Sequence, residues 1–392
     1  MTPPDVDLAA SRVRGWRLVG TASPLLSTLF LLFGCTANPP DDQPQTELSP
    51  ERQLLITSPD TGNVFFTRTG NAIVTPDSQV IVDAGDGGQL LVFDQGGRLL
   101  RTIGRRGQGP GEFRSVTSFG IRADSLWVFD YVARRVTTFS LATGRVASSL
   151  ATSPSLPGWS GPIRIAALLE GGGMLVQGHS RLGDASGPSV IPFGVVSSSG
   201  RYTPIGTLDL AGTSFQLVQP NGTSIVGIQP FTPRPSLVPA PRGDRFALVE
   251  PGDTGVRITM FGSDGQVRYQ THLAIPGEEL TRSIADSILN WRGPQVASAE
   301  GGAIHRPRRL PAVSVALADN DGSLWLRLDP LGLERRASRW LVVEPDGRQA
   351  GTVFVPSEHR VVRPDGSSYW AWVLDSLEVP SLGRYSWQAA TR

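Results

Sequence analysis

The sequence predicts an all-β fold: one six-bladed β-propeller with a single short inserted helix, set behind an N-terminal export signal. Three observations carry this. A unit of short apolar runs closed by a glycine-containing turn recurs along the chain; Asp83 and Asp130 lie 47 residues apart, and Phe93 and Phe139 lie 46 apart, at matching places in two successive units. Glycine and proline supply 45 and 32 of the 392 residues. Together that is well above the usual ~12%, which suits many short strands and disfavours a helical bundle. Finally, 39% of residues are apolar and 18% charged, enough for one large core built by repetition rather than for disorder.

The chain begins with an address. Arg12, Arg14 and Arg17 precede Leu18–Phe33, a mostly apolar run of 16 residues. That is short of the ~20 residues needed to span a bilayer as a helix. A charged start, a short apolar run and then small residues make a secretory signal. The run ends Leu32-Phe33-Gly34-Cys35, and Cys35 is the only cysteine. This resembles the bacterial lipobox, in which a small residue precedes a cysteine that receives diacylglycerol and becomes the mature N-terminus. The resemblance implies that residues 1–34 are a lipoprotein signal peptide and that Cys35 is the lipidation site. It places the protein in the bacterial cell envelope, anchored through lipid. With Thr36 rather than Asp after the cysteine, the outer membrane is implied, facing the periplasm or the exterior. Acyl chains hold by ~0.8 kcal/mol per buried CH₂, so no spanning helix is needed. A lone cysteine also excludes an intrachain disulfide or a thiolate zinc cluster. Residues 35–50 are rich in Pro, Asp, Gln and Thr and read as a flexible tether.

Residues 51–392 are the propeller. Unit one runs through Val80–Asp83 and Leu90–Phe93 to the turn Gly96-Gly97-Arg98. Unit two runs through Leu126–Asp130 and Val136–Phe139 to Thr143-Gly144-Arg145. With longer loops, the pattern returns at Met174–Val176 and Val195-Val196 with Ser199-Gly200-Arg201, and at Phe246–Val249 and Ile258–Phe261 with Asp264-Gly265-Gln266. It returns again at Leu324–Leu326 and Trp340–Val343 with Asp346-Gly347-Arg348. The glycines supply the positive φ of tight hairpins. A four-stranded sheet cannot cover its own apolar faces, but six arranged radially can. A weaker sixth unit, from about Val361 to Trp387, lacks a convincing outer strand. Arg52–Thr57 is expected to supply it and close the ring from the other end of the chain. Glu278–Trp291 departs from the strand pattern: Leu280, Ile284 and Ile288 recur four apart, and Gly293-Pro294 stops the run, so a short amphipathic helix is predicted between units four and five.

Between units one and two stands Ile103-Gly104-Arg105-Arg106-Gly107-Gln108-Gly109-Pro110-Gly111-Glu112-Phe113. It resembles the inter-blade loop of NHL-type propellers. The resemblance runs from about Arg52 to the C-terminus, and is nearest to six-bladed propeller lipoproteins of unassigned role. It speaks to fold, which does not fix function.

Charge and motifs narrow the function. Basic and acidic residues number 36 and 35, which argues against a nucleic-acid partner. All the basic residues are arginine. The glycine-rich loop lacks the lysine of a P-loop, and Pro110 removes one N–H from any phosphate cradle. Asp319-Asn320-Asp321-Gly322 resembles the start of a calcium loop but lacks its glutamate and helices, so a hairpin turn is expected. His179, His272, His305 and His359 are scattered; there is no HExxH and no Gly-x-Ser-x-Gly elbow. No catalytic residue, metal ligand or cofactor is assigned. Arg114, Arg164, Arg234, Arg308 and Arg309 each stand near the start of an expected innermost strand. All such strands begin on one face, so these arginines are candidates to ring the channel mouth and receive a carboxylate or sulfate bidentately. The expected function is a lipid-anchored envelope module that binds a protein, peptide or glycan on one propeller face. The alternative is a propeller enzyme resembling a metal-dependent lactonase or lyase, with an axial site.

Overall fold

The computed structural model describes residues 50–57, 66, 69–83, 88–152, 154–179, 189–218, 222, 224–292, 304–330 and 336–387. The chain divides into two units, Met1–Gln45 and Thr46–Arg392, and the described residues belong to the second. The predicted signal peptide, Cys35 and nearly all of the tether lie outside the described residues.

The second unit is a six-bladed propeller. Strand β1 (Glu51–Ile56) comes first in the chain and last in the ring. Blade one is β2 (Ala72–Val74), β3 (Val80–Asp83), β4 (Leu90–Phe93) and β5 (Leu99–Ile103). A parallel pair, β6 (Arg105–Arg106) and β7 (Glu112–Phe113), follows. Blade two is β8 (Val116–Arg122), β9 (Ser125–Asp130), β10 (Arg135–Ser140) and β11 (Val146–Ala151). Blade three is β12 (Ile163–Leu168), β13 (Met174–Gly178), β14 (Val190–Val196) and β15 (Tyr202–Asp209). A hairpin, β16 (Ser214–Val218) and β17 (Ser224–Ile228), precedes blade four: β18 (Ser236–Pro239), β19 (Arg245–Pro251), β20 (Val256–Gly262) and β21 (Val267–Leu273). Helix α1 (Arg282–Arg292) precedes blade five: β22 (Val315–Ala318), β23 (Leu324–Arg327), β24 (Ala337–Val343) and β25 (Gln349–Pro356). Blade six is β26 (Arg360–Asp365), β27 (Ser368–Leu374), β28 (Pro380–Ser386) and β1.

The first strand of each blade is the innermost. Across the ring β8 approaches β12, β12 approaches β18, β18 approaches β22, β22 approaches β26, and β26 approaches β2. These strands line the axis. A blade contains an even number of antiparallel strands, so the chain enters every inner strand from the same side. That side is the entry face; the turns joining first to second and third to fourth strands lie on the opposite face.

The turn from third to fourth strand repeats with the same bonds. Asp94 N donates to Arg98 O (2.9 Å) and Gly97 N to Asp94 O (3.0 Å); Ser197/Gly200/Arg201, Gly262/Gly265/Gln266 and Glu344/Gly347/Arg348 copy the pattern. Gly97 has φ 80°, which an L side chain adopts only with strain. Between each pair of neighbouring blades lies an apolar layer. Ile81, Val92, Phe113 and Val128 fill the seam of blades one and two; Trp325, Trp340, Val353 and Tyr369 fill that of blades five and six.

The ring closes as the sequence reading expects. β1 pairs antiparallel with β28, Ile56 opposite Leu382. Ile56 is 1% exposed and packs with Trp370, Trp372 and Phe66; full burial of such a side chain contributes ~1.5–3 kcal/mol. The Trp372 indole N–H donates to Gly70 O at 2.7 Å, tying blade six to the approach to blade one.

The glycine-rich loop is a clamp. Its Gln108 and Gly109 N–H groups donate to Glu112 Oε2 (2.9 and 2.8 Å), so the loop's own carboxylate occupies the place a phosphate would take. Arg105 Nε donates to the other Glu112 oxygen at 2.7 Å. Arg135, from blade two, donates to the carbonyls of Gln108, Gly109 and Glu112 (3.0, 2.8 and 2.7 Å). The loop thereby delivers Phe113 into the seam with no exposure.

Two differences from the sequence reading stand out. The helix starts at Arg282 rather than near Glu278, because Thr281 caps it: Thr281 Oγ1 accepts from Ile284 N at 3.3 Å. The hairpin β16–β17 is additional. It joins the helix to form a cap on the entry side, with Phe215, Phe231, Ala285, Ile288, Leu289 and Leu310 as its own apolar core. Asp319–Gly322 is the turn between β22 and β23: Asp319 N donates to Ser323 O at 2.8 Å, and the Asp319 carboxylate accepts from Gly366 N of blade six at 2.9 Å.

Candidate functional site

The entry face carries a surplus of arginine. Arg164 is the second residue of the axis-lining strand β12 and opposes Gln177. Its Nε is buried and has no hydrogen-bond partner, and burial pushes its pKa below the usual guanidinium value. Arg234 stands two residues before β18. Burial lowers its pKa, and the charge of Arg292 lowers it further. Arg292 ends the cap helix; its Nε is also buried without a partner, and its guanidinium lies 5.5 Å from the Trp291 ring centroid. Arg327 ends β23, opposite Val315, the first residue of β22. It is 8% exposed, its Nε has no partner, and burial pushes its pKa down against the opposing pull of Asp329. Asp329 itself is engaged elsewhere, accepting from Arg339 N and, at 3.4 Å, from Arg339 Nε. The guanidinium groups of Arg164, Arg234 and Arg327 make no hydrogen bond or salt bridge among the described residues.

The other three sequence candidates have different places. Arg114 lies two residues before β8 with an exposed side chain, and its backbone N donates to Asp130 Oδ2 at 2.6 Å. Arg308 and Arg309 lie farther from β22 and serve the cap. Leu280 N donates to Arg308 O at 3.0 Å, and Arg309 Nη1 donates to Gly277 O at 2.8 Å. The arginines that sequence reading missed are Arg292 and Arg327. Arg327 left a signal: a charged residue closing the apolar run Leu324-Trp325-Leu326. Arg292 left none beyond ending a helix.

A further arginine, Arg363, sits within β26, three residues along from Arg360. Burial brings its pKa down to about 10, against the opposing pull of Asp319 and Asp365. Both carboxylates belong to the turn side of the ring, so the axial strands run from a cationic entry face to a mixed-charge opposite face.

The histidines do not converge. His179 packs edge-on against Tyr131 with ring centroids 5.6 Å apart, while His272 and His305 are exposed. His359 is buried between blades five and six, with Nδ1 2.9 Å from Tyr369 Oη. Among the described residues no group of three or more His, Cys, Asp or Glu is placed to hold a metal ion. Chemically, Arg164, Arg234 and Arg327 offer planar, charged donors that bond nothing among the described residues. That composition suits bidentate recognition of an oxyanion.

Comparison with known proteins agrees with the fold. The family model DUF5128, described as a 6-bladed beta-propeller, matches residues 63–152, which contain blades one and two. A member of the DUF4221 family from Bacteroides vulgatus superposes with a TM-score of 0.51 at 9% identity, covering 87% of this chain and 98% of that one. Regucalcin, a calcium-binding protein from Agrobacterium tumefaciens, gives 0.41 at 10% identity, covering 81% and 91%. A streptogramin B lyase gives 0.39 at 11%, covering 83% and 96%. At such identities the likeness concerns fold alone. No curated protein matches the chain significantly. Among the described residues, no helix is long and apolar enough to cross a membrane.

Proposed function

We propose that this propeller is a binding module for an anionic ligand: a carboxylate, sulfate or phosphate group displayed by a peptide, protein or glycan and received at the entry face of the axis. The observation that supports this reading is the set Arg164, Arg292 and Arg327, each with a buried Nε that has no hydrogen-bond partner among the described residues, with the exposed Arg234 beside them on the same face. Burying a cation without a counter-ion is costly, and a protein retains such an arrangement where a ligand supplies the missing charge. The cap places Arg292 close enough for its charge to act on Arg234 and so adds the rim of the site. The rigid blades hold the axial members in place before the ligand arrives, which reduces the ordering cost of binding. The N-terminal sequence supports a location at the cell envelope, with acyl chains on Cys35 as the anchor and residues 35–50 as the tether.

Calorimetric titration of the full-length protein tests the reading, with sodium sulfate, phosphate and citrate compared against chloride at equal ionic strength. Saturable binding of an oxyanion that is weakened at least about tenfold, or ~1.4 kcal/mol, by Arg164→Met or Arg327→Met is the expected result. Equal heats from chloride and oxyanions, or unchanged affinity in both variants, would overturn it.

A further inference from the structure

The face opposite the arginines holds a cleft of about 410 Å³ at the seam where the ring closes. Its walls come from four places: β1, the two turns of blade one, the first turn of blade five, and blade six. Pockets of this size hold small molecules. We propose that this cleft binds a neutral saccharide of one or two rings, and that the bound sugar locks the N-terminal strand into the ring.

Charge comes first. The acid in the cleft, Asp365, is engaged: Arg384 Nη2 donates to its Oδ2 at 3.0 Å and Asn320 Nδ2 to its Oδ1 at 3.3 Å. Arg384, the cleft's cation, is that acid's partner. The walls therefore present a neutralised pair, and neither an anion nor a cation finds an unmatched charge there. This separates the cleft from the entry face.

Hydrogen-bonding capacity comes second. Gln53 on β1, Gln95 in the turn between β4 and β5, and Ser78 in the turn between β2 and β3 line the cleft with side chains that bond nothing else among the described residues. Thr75 is different, being spent on Asp77 and the Gln79 backbone. Trp370, 3% exposed, also lines the cleft; its indole N–H is buried and unpaired among the described residues, so the ring reports on the cleft without bonding in it. Two free carboxamides and a free hydroxyl each donate and accept, the complement of a ring of vicinal hydroxyls, which do the same. A saccharide carries several hydroxyls that each donate and accept, so one small ligand can meet Gln53, Gln95 and Ser78 together, whereas a peptide's backbone N–H only donates and its C=O only accepts.

Position comes third. Gln53 belongs to the strand that closes the ring, while the remaining walls belong to blades one, five and six. A ligand bonded to both sides stabilises the closed ring by mass action, in proportion to its occupancy.

The test uses full-length protein titrated with glucose, galactose, N-acetylglucosamine, maltose and chitobiose, read by tryptophan emission and by thermal unfolding. At least one sugar is expected to change emission saturably and to raise the unfolding temperature. Gln53→Leu and Gln95→Leu, both at exposed positions that leave the fold intact, are each expected to weaken that response roughly five- to tenfold. Arg164→Met is expected to leave it unchanged, which keeps this site separable from the anion site. No response to any of the five sugars at millimolar concentration overturns the proposal, as does a response unaltered in the Gln53→Leu/Gln95→Leu double variant. A response to citrate or to acidic peptides in place of the sugars also overturns it.

Discussion

Replacing Arg164 by methionine has an expected effect opposite in sign to most core substitutions. Methionine keeps the apolar reach of the side chain and deletes its charge. The guanidinium of Arg164 bonds nothing among the described residues, its Nε is buried, and burial alone lowers its pKa. No bond is lost on substitution, and an uncompensated desolvation penalty disappears. A fully enclosed lone cation would cost several kcal/mol, but Arg164 is only partly enclosed. A gain of about 1–2 kcal/mol is therefore expected, a rise of roughly 1.5–3 °C in Tm for a propeller of this size. Arg135→Met is the matched control. That arginine holds three backbone carbonyls of the inter-blade loop, so its loss should cost about 2–4 kcal/mol and lower Tm. Differential scanning calorimetry of both variants gives the comparison, first without and then with sulfate. At a hundred times its dissociation constant a ligand stabilises by ~2.7 kcal/mol; the wild type should gain this and Arg164→Met, at least about tenfold weaker, should gain about half or less. If Arg164→Met melts below the wild type without sulfate, or gains as much from sulfate, the reasoning fails.

Three other outcomes follow from the fold. Gly104 has φ 81°, and a Cβ there would lie 2.3 Å from the Phe113 ring, so Gly104→Ala should lose about 2–4 kcal/mol in urea unfolding; an unchanged midpoint would show that the ring is not seated there. Burial holds His359 below the usual histidine range. The unfolded chain therefore takes up its proton near pH ~6.5 while the folded chain resists, and the stability this group contributes is full above that pH and is lost as pH falls through the folded value. His359→Phe should flatten the dependence of Tm on pH between about 7 and 5, and an equal slope in both proteins would contradict the burial. Deleting residues 50–57 removes β1, unseats Ile56 and bares the edge of β28; light scattering should then report oligomers, whereas a monomer with native Tm would show that the clasp is dispensable.

The blades were legible because each rests on local information. Val80–Asp83, Leu90–Phe93 and the turn at Gly97 announce two strands and a hairpin within 18 residues, and the same text recurs. Even the clasp was legible, since a unit short of one strand demands a donor. The cap was half legible. Leu280, Ile284 and Ile288 gave the helix, but its start was set by Thr281, one of several polar residues able to cap. The hairpin β16–β17 was overlooked although Asn221-Gly222, a strong hairpin dipeptide, stands between its strands. The site was the least legible part. Arg308 and Arg309 look like mouth residues by distance in sequence, yet the cap's core at Leu310 draws them to the segment Gly277–Leu280. Arg292 reaches Arg234 only because a helix between two blades folds back over the entry side.

Why these arginines share one side of the ring follows from strand parity. A blade with an even number of strands returns the chain to its starting face, so residues at like places in successive blades lie on one side of the ring. Arg164 and Arg327 come from blades three and five, and Arg234 from the approach to blade four, with no local pattern linking them. Each blade alone would face the cost of one poorly compensated guanidinium; the ring sums those costs at a single place. The apolar seams between blades are independent of that opening and can bear the expense, since Val92, Val128, Val176, Leu326 and Leu382 are all fully enclosed. The stability of the seams and the electrostatics of the opening are thus set by different residues. A charge-removing variant at the mouth should shift ligand affinity strongly and leave the seams untouched, whereas a seam variant should do the reverse. An arginine ring that served only packing would show no such separation.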